Sequence, residues 1–411
     1  MINGIAIKKV EPGDKVSYLG VNIPTWTSIS SRESNLNSVE QVSLDIDKMC
    51  RAPLKPRQKF LLLQSYYLPR LFYGLVQALP SRGTSEMLDT AIRVGAKRML
   101  HLPYSTFLYS SRRDGGLSLH QLVKLIPKSV IRRNLRLLTS DYVSVRKVAD
   151  SAGLAEQNQQ LIVSFDLPLL PADAANYDPD IRLAHSHRWA AQPVQGMCAA
   201  AYRGDAIGNS WISKPGRLTE RCFLSLLKMR SNVYPTRETL TRGLRGDSTC
   251  PRCRLGAETI SHVSGVCGAL KGPRLARHNK ICDLVTKEAV DHGWSVSVEP
   301  SYIINGSRLI PDLVFSRPVK VVVVDVTIRL EQGDALKGAA LEKMRKYRPL
   351  EQLLLQEFDW PVEVHGLPIG ACGAWCRPAS LARDALGIKE ESFQRLLSRT
   401  SLICTYNMLR D

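Results

Sequence analysis

A chain of 411 residues, 44% of them hydrophobic, is long enough to bury cores in two or three domains. A net charge of +18 points to a polyanionic partner. A bilayer-spanning protein is not indicated, because no apolar run approaches the required length; the opening MINGIAIKKVEPGDKV also lacks the apolar centre of a signal peptide. Ten cysteines, from Cys50 to Cys404, do not form the dense framework of a small secreted domain, so reduced thiols and a metal site are expected.

In chain order, KVSYLGVNI (15–23) alternates as a strand does, and Asn35–Met49 has the spacing of a helix. PLKPRQK leads into a second, apolar helix, FLLLQSYY, which Pro69 is expected to end. Further helices are predicted over Ser85–Leu100 and Leu122–Leu138, with the Asp114-Gly115-Gly116 step between them a turn. Residues 51–140 carry 16 Lys and Arg against three Asp and Glu, interleaved with Tyr66, Tyr67, Phe72, Tyr73, Tyr104, Phe107 and Tyr109. Cationic side chains bind phosphates and aromatic rings stack on unpaired bases; in helices, most such tyrosines instead end in the core. Residues 139–180 read as weakly structured, and the Pro-rich SFDLPLLPADAANYDPD is the best linker candidate. Helices return over Arg188–Tyr202 and Arg217–Leu227, within a second basic stretch over residues 215–280 (13 Lys and Arg against four Asp and Glu). From about Asp291 the pattern becomes α/β: strands over Trp294–Ile304, Leu309–Phe315 and Val319–Ile328, a helix over Ala335–Glu357, a strand over Pro361–Leu367, and helices over Ser380–Leu386 and Ser392–Leu409.

Two constellations carry chemistry. Cys250, Cys253, His262 and Cys267 have the pattern C-x2-C-x8-H-x4-C, in which a tight knuckle and a following turn can close a tetrahedron around one metal. Three thiolates and an imidazole suit zinc, and four protein ligands leave no position open to substrate, so this zinc is expected to be structural. Cys282 lies too far along to be chosen as a ligand, and Cys372 and Cys376 lack a partner pair. The second constellation is RLIPDLVFSRPVKVVVVDVTIRL, which puts Asp312 and Asp325 on two β-rich runs joined by a short turn. Together these carboxylates could hold Mg2+, and a lysine from the following LKGAALEKMRKY could stabilise charge on a phosphate. An aspartate in the Val321–Val326 strand costs several kcal/mol unless paired or metal-bound, whereas one at a strand end is often only a turn former.

The order of these features resembles the C-terminal part of non-LTR retrotransposon polyproteins, and most of all the site-specific R-two clade, which inserts into large-subunit ribosomal RNA genes. KVSYLGVNI, PLKPRQKFLLLQSYYLPRLFYGL and LHLPYSTFLYSSRRDGGLSL resemble the reverse-transcriptase thumb and the region after it. CPRCRLGAETISHVSGVC resembles the zinc knuckle, RLARHN its continuation, and PDLVF…VVVVDVTI…EKMRKY the restriction-like endonuclease. The resemblance implies an α+β multidomain chain: thumb over residues 1–110, helical linker over 111–240, CCHC zinc knuckle over 241–285, and an α/β PD-(D/E)xK-like nuclease over 286–411. It implies Asp312 and Asp325 as Mg2+ ligands and a catalytic lysine at Lys343 or Lys346, beside Tyr347, with Lys343 favoured. Thr327 stands where many such nucleases have lysine, so the amine must reach in from the helix. No Tyr/Phe-x-Asp-Asp polymerase signature is present, and the chain is expected to be a fragment whose parent polymerase carboxylates precede Met1.

The implied function is metal-dependent nicking of target DNA in the nucleus, to prime reverse transcription of element RNA, with a second copy of the protein as a further partner. Two alternatives differ from it. In one, the chain is a catalytically inactive, zinc-containing nucleic-acid-binding module. In the other it is a host repair or recombination nuclease, which leaves the thumb-like half unexplained.

Overall fold

The computed structural model describes residues 15–18, 21–24, 31–104, 107–169, 177 and 180–411, with side chains from Glu40 onward and Val39 before it. The linker candidate falls partly outside the described residues. Two compact units divide the chain: one comprises residues 1–105 and 119–181, the other 106–118 and 182–411.

The first unit is helical apart from a hairpin of β1 (Lys15–Tyr18) and β2 (Val21–Pro24), where one strand was expected. The helices are α1 (Ser31–Arg51), α2 (Pro56–Leu62), α3 (Leu68–Ala78), α4 (Arg82–Leu100), α5 (Leu122–Leu138), α6 (Val143–Ser151) and α7 (Leu154–Ser164). Pro69 does not end a helix. A π turn over Leu63–Tyr67, closed by the Leu68 N–H on the Leu63 carbonyl, joins α2 to α3 and shifts the hydrogen-bond register where proline brings no donor. α1 and α4 meet at Gly95, where a Cβ would lie 2.2 Å from Ile46 Cγ2. Along α5, Val123, Ile126, Val130, Ile131 and Leu135 recur at helical spacing, and most of this stripe packs on Leu161, Ile162 and Phe165. Residues 143–164 are therefore two ordered helices, not the weakly structured stretch expected. Their few apolar side chains gave little periodicity, but buried Asn134 secures α7 by donating to Gln157 Oε1 (2.8 Å) and Asn158 Oδ1 (2.9 Å).

α5 starts without a capping side chain of its own. Asp89 of α4 supplies it, accepting the Leu122 and Val123 N–H groups at 2.7 and 3.0 Å. Burial pushes the Asp89 carboxyl up to about 6, against the two N–H bonds. Because the folded pKa is raised, the folded state holds the extra proton between about 4 and about 6, and stability falls as pH rises through that window. Hydrogen exchange of α5 should show this slope in the parent and a flat profile in Asp89→Asn. Asp89→Ala, which orphans two buried donors, should lower local stability by about 2 kcal/mol.

The second unit begins with α8 (Ile181–Ala190), α9 (Ser210–Ser213), α10 (Glu220–Arg230) and α11 (Arg237–Thr241), and a long α12 (Lys271–Asp291) follows the knuckle. The expected helix over Arg188–Tyr202 is displaced to α8. The predicted turn at Asp114-Gly115-Gly116 is present: Gly115 adopts φ +85°, and Asp114 accepts from Ser186 Oγ (3.0 Å) and Gly204 N (3.1 Å).

A four-stranded sheet of order β3-β6-β7-β8 is built from β3 (Ser295–Val298), β6 (Leu313–Arg317), β7 (Lys320–Arg329) and β8 (Val362–Gly370). β4 (Tyr302–Ile304) and β5 (Ser307–Leu309) form a separate hairpin. The expected strands over Trp294–Ile304 and Leu309–Phe315 are each interrupted, the first at Glu299, which adopts φ +48°, and the second at Ile310–Asp312. α13 (Ala335–Tyr347) and α14 (Leu350–Phe358), divided at Pro349 rather than continuous, form the crossover that makes β8 parallel to β7. α15 (Arg377–Ala385) and α16 (Glu391–Arg410) complete the unit.

β7 is almost continuously apolar because both its faces are covered. Val322, Val324 and Val326 face a core with Ile281, Val285 and Leu397, while Val321 and Val323 face Tyr347, Leu350 and Leu354. The architecture is thus mixed α and β, helix-rich, with one small mixed sheet.

Candidate nuclease and metal centres

The sheet's register explains how two carboxylates thirteen residues apart meet. Leu313 pairs with Val324 across the antiparallel β6–β7 ladder, so one further step sets Asp312 opposite Asp325. Asp312 lies just before β6, and its Oδ2 accepts the Val326 N–H at 2.7 Å. That bond fixes its carboxylate against the residue after Asp325. Asp325 alternates with Val321 and Val323 and therefore faces α13 and α14, not solvent; it is 1% exposed.

α13 brings the cation. Lys343 Nζ lies 2.7 Å from Asp325 Oδ1. The helix can come this close because Gly366, paired with Asp325 in β8, has no side chain: a Cβ there would lie 2.7 Å from Ala340 Cα. Lys346 points elsewhere, donating to Tyr347 Oη at 2.8 Å over the Tyr347 ring. Tyr347 Oη in turn donates to the Ile310 carbonyl at 2.7 Å and holds the segment that leads into Asp312. Of the two candidate lysines, the structure brings only Lys343 onto a carboxylate. Thr327, where many such nucleases carry lysine, is itself buried in the same strand.

Burial pushes the Asp325 carboxyl up, the charge of Asp312 pushes it further, and Lys343 opposes both. A buried carboxylate whose ionised form is disfavoured by a second carboxylate is a setting that a divalent cation relieves. The oxygen donors fit a hard ion such as Mg2+.

His278 of α12 also stands in this centre. Its Nε2 lies 3.0 Å from Asp312 Oδ2 and 3.3 Å from the Val326 carbonyl oxygen. Hydrogen bonding to Asp312, helped by Cys282, pushes the His278 imidazole up to about 11 despite its burial. Sequence reasoning missed His278, which lies 34 residues before Asp312 in RLARHN, with no spacing to connect the two.

The four knuckle residues converge as their spacing predicts. Their ligand atoms all lie within 4.8 Å of one another, with Cys250 Sγ 3.9 Å from Cys267 Sγ and Cys253 Sγ 3.2 Å from His262 Nε2. Tetrahedral zinc–thiolate geometry requires sulfurs roughly 3.8 Å apart, so the donor set and its spacing fit zinc. The backbone makes this local. Cys250 N–H donates to the Gly256 carbonyl (2.7 Å) across a short antiparallel bridge, and a π turn over His262–Val266 ends with Cys267 N–H on the His262 carbonyl (2.9 Å). A π turn closes between residues five apart, which is why H-x4-C serves as a clamp. Burial opposes ionisation of Cys250, but the N–H groups of Cys253 and Arg252 draw its pKa below the ordinary thiol value.

α12 connects the knuckle to the carboxylates. Arg277, 3% exposed, donates to Thr405 Oγ1 (2.7 Å) and the Ser264 carbonyl (2.8 Å), and Arg274 donates to the carbonyls of Gly265 and Cys267. These two arginines hold the π turn onto α12 and α16. A groove of about 350 Å³ runs past Gly265, Lys271, Leu275 and Ile328 to His278.

The aromatics of the first basic stretch divide. Tyr66, Tyr73 and Tyr104 are exposed, whereas Phe107 and Tyr109 are buried in the second unit.

Comparison with known proteins finds relatives over most of the chain's length. The chain is 26% identical, over 97% of its length, to the Retrovirus-related Pol polyprotein from type-2 retrotransposable element R2DM of Drosophila melanogaster. It is 29% identical, over 80% of its length, to the Pol polyprotein from type-1 retrotransposable element R2 of Popillia japonica, and covers 73% of that protein. Its homologues are R2 Pol polyproteins. A second Popillia R2 Pol polyprotein is 30% identical over 83% of the chain. The chain spans 38% of the length of the Drosophila R2 relative. No protein-family model matches it. Among the described residues no helix is long and apolar enough to cross a membrane.

Proposed function

We propose that this chain carries the DNA-nicking centre of an R2-type retrotransposon reverse transcriptase/endonuclease, with Asp312 and Asp325 as its metal-binding carboxylates and Lys343 as its catalytic cation. One observation carries the reading: the β6–β7 register faces the two carboxylates, and an amine from α13 stands 2.7 Å from the buried one. A bound Mg2+ supplies the charge that polarises a non-bridging phosphate oxygen and acidifies the attacking water. The Val326 N–H orients Asp312, Tyr347 braces the chain leading into it, and Lys343 stabilises the negative charge that develops on the phosphate. The cleaved strand keeps a 3′-hydroxyl.

In this reading residues 1–110 serve as the thumb, 111–240 as the linker, 241–285 as a zinc-stapled knuckle and 286–411 as the endonuclease. The basic surface tracks the DNA target and the element RNA. The hydroxyl then primes reverse transcription by the whole polyprotein in the nucleus, ribosomal DNA is the target, and a second copy takes part in cleavage. The knuckle acts through its own backbone and Lys271, because Arg274 and Arg277 are engaged in holding it.

The test is supercoiled plasmid bearing a ribosomal-gene segment, incubated with the purified chain in Mg2+ or EDTA. Mg2+-dependent conversion to nicked circles is expected; binding without cleavage in either Mg2+ or Mn2+ would instead support the inactive nucleic-acid-binding module. Single-turnover nicking separates the lysines. Lys343→Ala should slow it roughly 10²-fold, and Lys346→Ala by only a few-fold, as expected for a side chain that packs on Tyr347. Equal losses in the two variants would overturn the assignment of Lys343.

A further inference from the structure

We infer that His278 is a nitrogen ligand of the nuclease's divalent cation, completing with Asp312, Asp325 and the Val326 carbonyl a mixed N/O site suited to Mn2+. The assignment rests on the nuclease reading above but concerns a residue on a different element, α12, which reaches Asp312 from the side opposite α13.

The geometry points to it in three ways. First, Nε2 stands 3.0 Å from Asp312 Oδ2 and 3.3 Å from the Val326 carbonyl. Neighbouring ligands of an octahedral ion with bonds near 2.1 Å are about 3 Å apart, so Nε2 already stands at ligand spacing from both oxygens. Second, the ring is held from behind. Nδ1 faces Asn279 Oδ1 at 3.3 Å and Cys282 Sγ at 3.7 Å. A metal-bound histidine is commonly oriented through its other ring nitrogen in this way, which leaves Nε2 for the metal. Third, the backbone beneath is fixed. Arg277, one residue earlier, is buried and bonded to Ser264 and Thr405, and Ile281 and Cys282 lie in the core. The imidazole is therefore presented by a packed helix and not by a loop.

Cys282 Sγ is the other donor within reach, but it lies behind the ring, nearer Nδ1 than Nε2. It is a positioning residue. An imidazole added to oxygen donors raises affinity for a first-row transition ion relative to Mg2+, which keeps to oxygen and water.

The experiment uses the full chain with zinc supplied to the knuckle, titrated with Mn2+ and read by pulsed electron paramagnetic resonance. Bound Mn2+ should show nitrogen coupling in the parent. His278→Gln should lose that coupling and bind Mn2+ roughly tenfold or more weakly, with a smaller loss for Mg2+, so its Mn2+/Mg2+ affinity ratio falls. Cys282→Ser should keep the coupling. Asp312→Asn should remove it, which shows that the signal does not come from His262. No coupling in the parent, or coupling that persists in His278→Gln or Asp312→Asn, overturns the inference. The two readings fail separately: coupling without any nicking would refute the nuclease reading and leave the ligand assignment standing, and nicking lost in Asp325→Asn with no coupling in the parent would do the reverse.

Discussion

Asp325→Asn is expected to reduce nicking roughly 10³-fold or more while leaving the chain at least as resistant to unfolding as the parent. The two halves of this result have one cause. Asp325 is 1% exposed, and burial together with the neighbouring Asp312 disfavours its ionised form. Asparagine has the same shape without the charge, so the folded state no longer bears that penalty. Lys343, whose side chain is 23% exposed, can turn its amine to water once its partner is neutral. Function loses a metal ligand and the fold loses a burden. Added Mg2+ or Mn2+ should then raise the parent's unfolding midpoint and leave that of Asp325→Asn unmoved, because a ligand stabilises only the state that binds it. Plasmid nicking and thermal denaturation, run on the same preparations, check both. A variant that nicks at the parental rate ends the nuclease reading. One that is inactive but markedly less stable makes the Asp325–Lys343 pair a structural ion pair.

Loss of the knuckle's metal should have the largest effect on structure. Cys250, Ile260, Val263 and Cys267 are all buried, but the segment is too short to keep a core by itself. Without a cation, thiolates 3.9 Å apart repel. Structural zinc contributes about 10–16 kcal/mol in comparable peptides. Cys250→Ser should therefore release the zinc and abolish exchange protection across residues 248–270. The loss should extend into the first turns of α12, because Arg274 and Arg277 anchor there on carbonyls of the π turn. Zinc stoichiometry and hydrogen exchange by mass spectrometry read this directly. Protection of residues 248–270 equal to the parent's would show that the four side chains do not depend on metal. Loss limited to the knuckle, with α12 unchanged, would show that the arginines do not transmit it.

Where the sequence was informative, the contacts were local. C-x2-C-x8-H-x4-C is legible because a bridge and a π turn, each a few residues long, bring the ligands together. Asp312 and Asp325 are legible because a hairpin with a short turn faces them. The helical stripe of α5 and the Val-rich β7 follow from periodicity and burial. The misreadings have physical causes too. Pro69 looked like a terminus because the compensating π turn carries no sequence signature. α6 and α7 were missed because a polar contact, Asn134 with Asn158, stabilises what apolar periodicity did not announce. His278 and Cys282 lie one turn apart on α12 and Asp312 on a separate element, so they meet only through packing, which a linear pattern does not encode. Arg274 and Arg277, within the second basic stretch, face carbonyls.

The bond from Arg277 to Thr405 also has a consequence in time. A ribosome that has released the knuckle and α12 still has more than a hundred residues to add before Thr405 emerges. Until then the guanidinium lacks its side-chain partner, and an unsatisfied buried cation is costly, so α12 has reason to stay undocked. The carboxylate centre is therefore braced by α12 only once α16 has been made. A chain that stalls before α16 would carry both aspartates, the lysine and the histidine with α12 not yet held in place, so in the nuclease reading proposed above it should nick DNA poorly until α16 is made.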